Sequence, residues 1–193
     1  MKKIIFYNII IIFLLLMCFQ GYAISDESYK NHPGYVDFGN LEGFMDAEET
    51  VEVFIRGPIL KFVSKATQQE DPQLSKFLND LVIIKVNVFS LEGKDENKVL
   101  SLIGDVAKKL KNKNWDPMVR VKEKDERVEI FTLSDKGNEM QGLTIMVLDN
   151  ADNEAVFINI AGKIDPEQLG KLGDKFDIPE LGDVPTDKNK VQE

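Results

Sequence analysis

Few side chains in this sequence combine a reactive type with the spacing that chemistry needs. His32 is the only histidine, so a Ser-His-Asp triad or an imidazole metal ligand has to use it. It precedes Pro33-Gly34 in an irregular stretch where nothing holds a base against a nucleophile, and a solvated loop histidine is the simpler reading. Glu48, Glu49 and Glu52 could be offered as acid/base catalysts, but no pattern around them supplies desolvation or a facing separation. Asp149, Asp152, Asn153 and Glu154 suggest calcium; Ala151 falls at a ligand position and no turn glycine follows, so a polar hairpin turn is expected. Gly57-Pro58 precedes a helical stretch, yet the proline removes an N–H that a phosphate would need. Lys108, Lys109, Lys111 and Lys113 gather at the end of a predicted helix, where they suit its dipole and read as a solvated basic edge. No catalytic, cofactor-binding or metal-ligating residue is therefore assigned, and no cofactor is expected.

Composition narrows the class further. The chain has 193 residues, 24 Lys and Arg against 33 Asp and Glu, and 43% hydrophobic residues, which suits an ordinary folded domain. Residues 1–23 read as a secretory signal peptide: Lys2 and Lys3 lead an apolar run from Ile9 to Phe19, and Gly21 and Ala23 are the small residues a signal peptidase reads. Cleavage is expected between Ala23 and Ile24. The apolar run is short of the roughly 20 residues a bilayer span needs, so no transmembrane span is expected in the mature chain. Met17 before Cys18 argues against a lipid anchor. Loss of Lys2 and Lys3 leaves 22 bases against 33 acids, a net of −11, which disfavours nucleic acid and anionic membrane as partners. The mature chain also loses its only cysteine.

The elements that must position any site follow from periodicity and punctuation. Residues 24–48 form an entry segment carrying Tyr29, Tyr35, Phe38 and Phe44; residues 49–176 form one domain; residues 177–193 form a flexible acidic tail. Val51, Val53 and Ile55 alternate as a strand ended by Gly57-Pro58, and helices are predicted over 59–66 and from Asp71-Pro72 to Leu81. A β-branched strand over 82–89 precedes a long helix over 95–113. Strands over 118–123, 127–133, 141–149 and 154–161 then read as an antiparallel meander, and Asp165-Pro166 opens a last helix with Leu169, Leu172 and Phe176 on one side. The expected fold is α+β, a two-layer sandwich with one mixed sheet and helices on one face.

Turn chemistry fixes register. Glu123 against Glu126 sets Val121 opposite Val128, Val119 opposite Ile130, and Arg120 opposite Glu129 as a cross-strand ion pair. Asp149 against Glu154 sets Val147 opposite Val156, Ile145 opposite Ile158 and Leu143 opposite Ile160. The other face carries Phe54, Phe131, Met146, Leu148 and Phe157, a candidate apolar binding face that residues 34–46 are expected to cover in part.

Gly34-Tyr35-Val36-Asp37-Phe38, the run Glu49 to Leu60, Trp115 with Val119-Arg120-Val121, Gly142-Leu143-Thr144, and Asn159-Ile160-Ala161-Gly162-Lys163-Ile164-Asp165-Pro166 together resemble the DUF4252 family of bacterial envelope proteins. The resemblance runs over residues 34 to about 181 and implies export from a bacterial cytoplasm, with no assigned activity. The expected function is an exported, periplasmic or secreted, non-catalytic module that binds an envelope protein or an apolar ligand, or dimerises through its apolar face. The alternative is a cofactor-independent, hydrolase-like enzyme using carboxylates and Lys or Ser.

Overall fold

β-Branched residues at alternate positions build the sheet that organises this chain. The computed structural model describes residues 27–39, 41, 50–93, 95–137 and 139–166. The signal segment with Cys18, Ala23 and Ile24, Phe44, the expected last helix and the tail lie outside the described residues. Strand β1 (Thr50–Arg56) leads into helices α1 (Gly57–Thr67) and α2 (Pro72–Asp80), and then β2 (Leu81–Ser90). Helix α3 (Glu96–Asn112) precedes β3 (Asp116–Lys122), β4 (Glu126–Ser134), β5 (Met140–Asp149) and β6 (Glu154–Ile164). The Asp71 carboxylate accepts from the Leu74 N–H at 2.9 Å, the cap expected from the sequence, and the Asp95 carboxylate caps the next helix by accepting from the Asn97 N–H at 3.0 Å.

The six strands stand in the order β1-β2-β6-β5-β4-β3, and all five pairings are antiparallel. This corrects the expected mixed sheet. The α1–α2 hairpin turns the chain so that β2 runs back beside β1. Helix α3 then carries the chain to the opposite edge, so β2 and β3, which run the same way, are never neighbours. Both hairpin registers read from the turns hold residue for residue, including Arg120 opposite Glu129 and Leu143 opposite Ile160.

One face is a lattice of β-branched side chains. Val51, Val88, Val156, Val147, Val128 and Val121 form a single row across all six strands, and Val53, Val86, Ile158, Ile145, Ile130 and Val119 form the next. Such cross-strand pairs each contribute about 0.2–1 kcal/mol relative to alanines. Leu60 of α1 and Phe77 of α2 pack into this side with Leu81, Met140, Leu143, Ile160 and Ile164. A hydrogen bond from Ser64 Oγ to the Ser75 carbonyl, 2.8 Å, ties α1 to α2.

The other face meets α3. Val99, Ile103, Val106, Ala107 and Leu110 recur at helical spacing and bury against Phe89, Phe131, Met146, Leu148, Ala155 and Phe157. Helices therefore sit on both sides of the sheet rather than on one. The large aromatic and methionine side chains of this face form a deep apolar surface, and the wide apolar stripe of α3 is what buries it.

Candidate functional site

The five residues expected to form an open binding face share one side of the sheet, as alternation required, but four of them are core. Phe131, Met146 and Phe157 have no exposure and Leu148 has 2%. Phe54 is half-buried, with Tyr29 edge-on at 5.3 Å and the Arg56 guanidinium over its ring at 5.6 Å. Helix α3 and the described part of the entry segment cover those four core residues. The residues are apolar because they face α3, which was expected on the opposite side.

The entry segment does fold back onto this face. Val36, Phe38 and Leu41 join the core, and the Phe38 ring lies edge-on to Phe157 at 5.4 Å. One buried amide holds it there. Asn159 Oδ1 accepts from the Val36 N–H at 2.9 Å, while Asn159 Nδ2 donates to the Gly34 carbonyl at 2.9 Å and the Leu143 carbonyl at 3.2 Å. Thr144 Oγ1 stands 3.4 Å from the same nitrogen. Closeness of this order requires bare backbone: a Cβ on Gly34 would lie 1.9 Å from the Gln141 carbonyl oxygen, and one on Gly142 would lie 2.6 Å from Trp115 Cη2. Gly34, Trp115, Gly142, Thr144 and Asn159, which look like separate motifs in the sequence, thus meet in one clasp. Its chemistry is hydrogen bonding and steric fit, not catalysis.

The remaining candidates stay apart. His32 Nδ1 accepts from the Gly34 N–H at 3.1 Å, so the imidazole shapes the turn that feeds the clasp. Partial burial lowers its pKa from the usual 6.5 by disfavouring the imidazolium. The unfolded chain then binds the proton more tightly, so this contribution is present above about pH 6.5 and is lost as pH falls below it. Thermal melts at pH 7.5 and 5.5 are expected to differ more for the natural protein than for His32→Gln; equal differences would exclude the role. Glu48 and Glu49 lie outside the described residues, and Glu52 Oε1 faces Asn87 Nδ2 at 3.4 Å. Asp149 Oδ1 accepts from the Ala151 and Asp152 N–H groups at 2.8 and 3.1 Å, which makes it the polar turn expected from the sequence. Among the described residues no cluster of three or more His, Cys, Asp or Glu could hold a metal ion.

Arg120 and Glu129 do face each other, at 3.9 Å, but Glu129 has a nearer partner. Arg127, two residues earlier on the same strand, donates to Glu129 Oε1 through Nε at 3.2 Å and Nη2 at 2.5 Å. Sequence reasoning missed Arg127, although the two-residue period of β4 places it beside Glu129.

Exposed apolar surface gathers elsewhere. Ile59, Phe62 and Val63 are 52%, 72% and 36% exposed and stand at i, i+3 and i+4 on α1, while Leu60 and Ser64 face inward. The helix has two apolar sides, and only one is spent on the core.

Fold and surface thus define an antiparallel α+β module with an unspent apolar helix side. The chain belongs to the family described as a domain of unknown function, DUF4252, whose model matches residues 44–172. Gly34 to Phe38 precede that match, so the entry-segment side of the clasp, Gly34 and Val36, comes from outside it. No curated protein and no solved structure matches the chain. No described helix is long and apolar enough to cross a membrane.

Proposed function

We propose that this protein is an exported, non-catalytic module of the bacterial envelope that binds a protein partner through the outer side of α1. The observation that carries this reading is the stripe of Ile59, Phe62 and Val63, because an exposed phenylalanine flanked by two branched aliphatics is surface that a partner removes from water. A small apolar ligand is a poorer fit, since such ligands need a concave apolar pocket. The cavity of about 420 Å3 lined by Lys76, Asp80, Glu139 and Lys163 is rimmed by charge. Lys61 and Lys65 flank the stripe on the same helix, which suits a partner patch with an acidic rim. The leader-like residues 1–23 support export.

Phe62→Asp is the test. Because Phe62 is exposed, stability should change by no more than about 0.5 kcal/mol in urea titration. Capture of the partner from envelope extract should fall to background, while a concentration-dependent elution volume on size exclusion would identify the partner as a second copy. Identical capture and elution for natural and variant proteins would overturn the proposal.

A further inference from the structure

We propose that the cleft between the second half of α3 and strands β3 and β4 binds a phosphate ester that carries a neighbouring hydroxyl group. Lys108 and Lys111 line one wall and Arg120, Lys122, Arg127 and Glu129 the other, around a cavity of about 410 Å3. Five cations against one acid is a local excess in a chain whose net charge is −9. At physiological ionic strength the rest of that charge is screened beyond about 8 Å, so the cleft presents its own sign to a small ion.

Two features mark the cleft as incompletely satisfied, beyond the pairing of Arg120 and Arg127 with Glu129. Lys122 and Arg127 are direct cross-strand partners, an arrangement of like charges that works against the sheet. Among the described residues, Lys108, Lys111 and Lys122 take part in no ion pair. The second, independent feature is Glu129. Its side chain is 2% exposed; Oε1 holds Arg127, whereas Oε2 is buried and has no hydrogen-bond partner. A buried acceptor left unmade is costly, and it selects a ligand with a donor. An anionic group against the lysines and a hydroxyl donating to Glu129 satisfy both, and phosphate esters of polyols carry the two side by side. The volume lies within the range of small-molecule sites.

Calorimetric titration of the purified protein at physiological salt with glycerol 3-phosphate, inorganic phosphate and glycerol tests this. Glycerol 3-phosphate should bind saturably and about tenfold more tightly than inorganic phosphate, the difference expected of one hydrogen bond to a charged group, and glycerol should not bind. The exposed pair Lys108→Gln/Lys111→Gln should weaken binding about tenfold or more without loss of folding. Glu129→Gln should remove most of the preference over inorganic phosphate; if that variant fails to fold, the lysine pair alone decides. Co-sedimentation with phosphatidylglycerol vesicles, abolished by the lysine pair, would assign the ester to a lipid headgroup; binding of the free ester alone would assign it to a soluble one. Absence of saturable binding, unchanged affinity in the lysine pair, or equal affinity for inorganic phosphate would each overturn the proposal.

Discussion

A Gly34→Ala protein is expected to lose about 3 kcal/mol of stability, the upper end of what overpacking costs, and to release the entry segment from the sheet. The added Cβ would lie 1.9 Å from the Gln141 carbonyl oxygen and 2.8 Å from its carbon, and both are backbone atoms of β5 that cannot turn aside. The segment must therefore lift. Phe38, fully buried against Phe157, would follow it into water, at about 1.5–3 kcal/mol for a phenylalanine. The urea midpoint measures the cost, and hydrogen exchange at Val36 reports the release. A midpoint within error of the natural protein would show that the two backbones do not touch.

Asn159→Leu should cost about as much, by a different route. Leucine fills nearly the same volume but strands the Val36 N–H and the Gly34 carbonyl, each buried where water does not replace the lost bond. Orphaned groups of this kind cost about 1–3 kcal/mol apiece, limited here by how readily the segment lets go. Because Gly34 and Asn159 act on one contact, the double variant should cost little more than either single one. Full additivity would contradict the clasp.

Local rules recovered the parts of this fold that local chemistry determines. Two short turns fixed the β3–β4 and β5–β6 registers, and Asp71-Pro72 marked a helix start that the structure keeps. Which face α3 covers was not legible. Its periodicity shows one apolar stripe, but a stripe does not say whether it meets the Val and Ile side or the Phe and Met side. That single choice converted Phe131, Met146, Leu148 and Phe157 from surface to core. It also brought Lys108 and Lys111 across from Arg120, Lys122 and Arg127, so cations that read as a solvated helix end became one wall of a cleft. The exposed side of α1 is not legible from so short a run, because Ile59 and Leu60 lie only about 100° apart on a helix and the spacing does not say which of them faces inward.

The claim that α1 is the binding surface is tested most directly by placing a photo-crosslinking residue at position 62 in living cells, with position 136, in an exposed turn, as the control. A discrete adduct of one defined mass at position 62, lost when Ile59 and Val63 are both replaced by aspartate and missing at position 136, is the expected result. No adduct at position 62, or the same adducts at both positions, would contradict it.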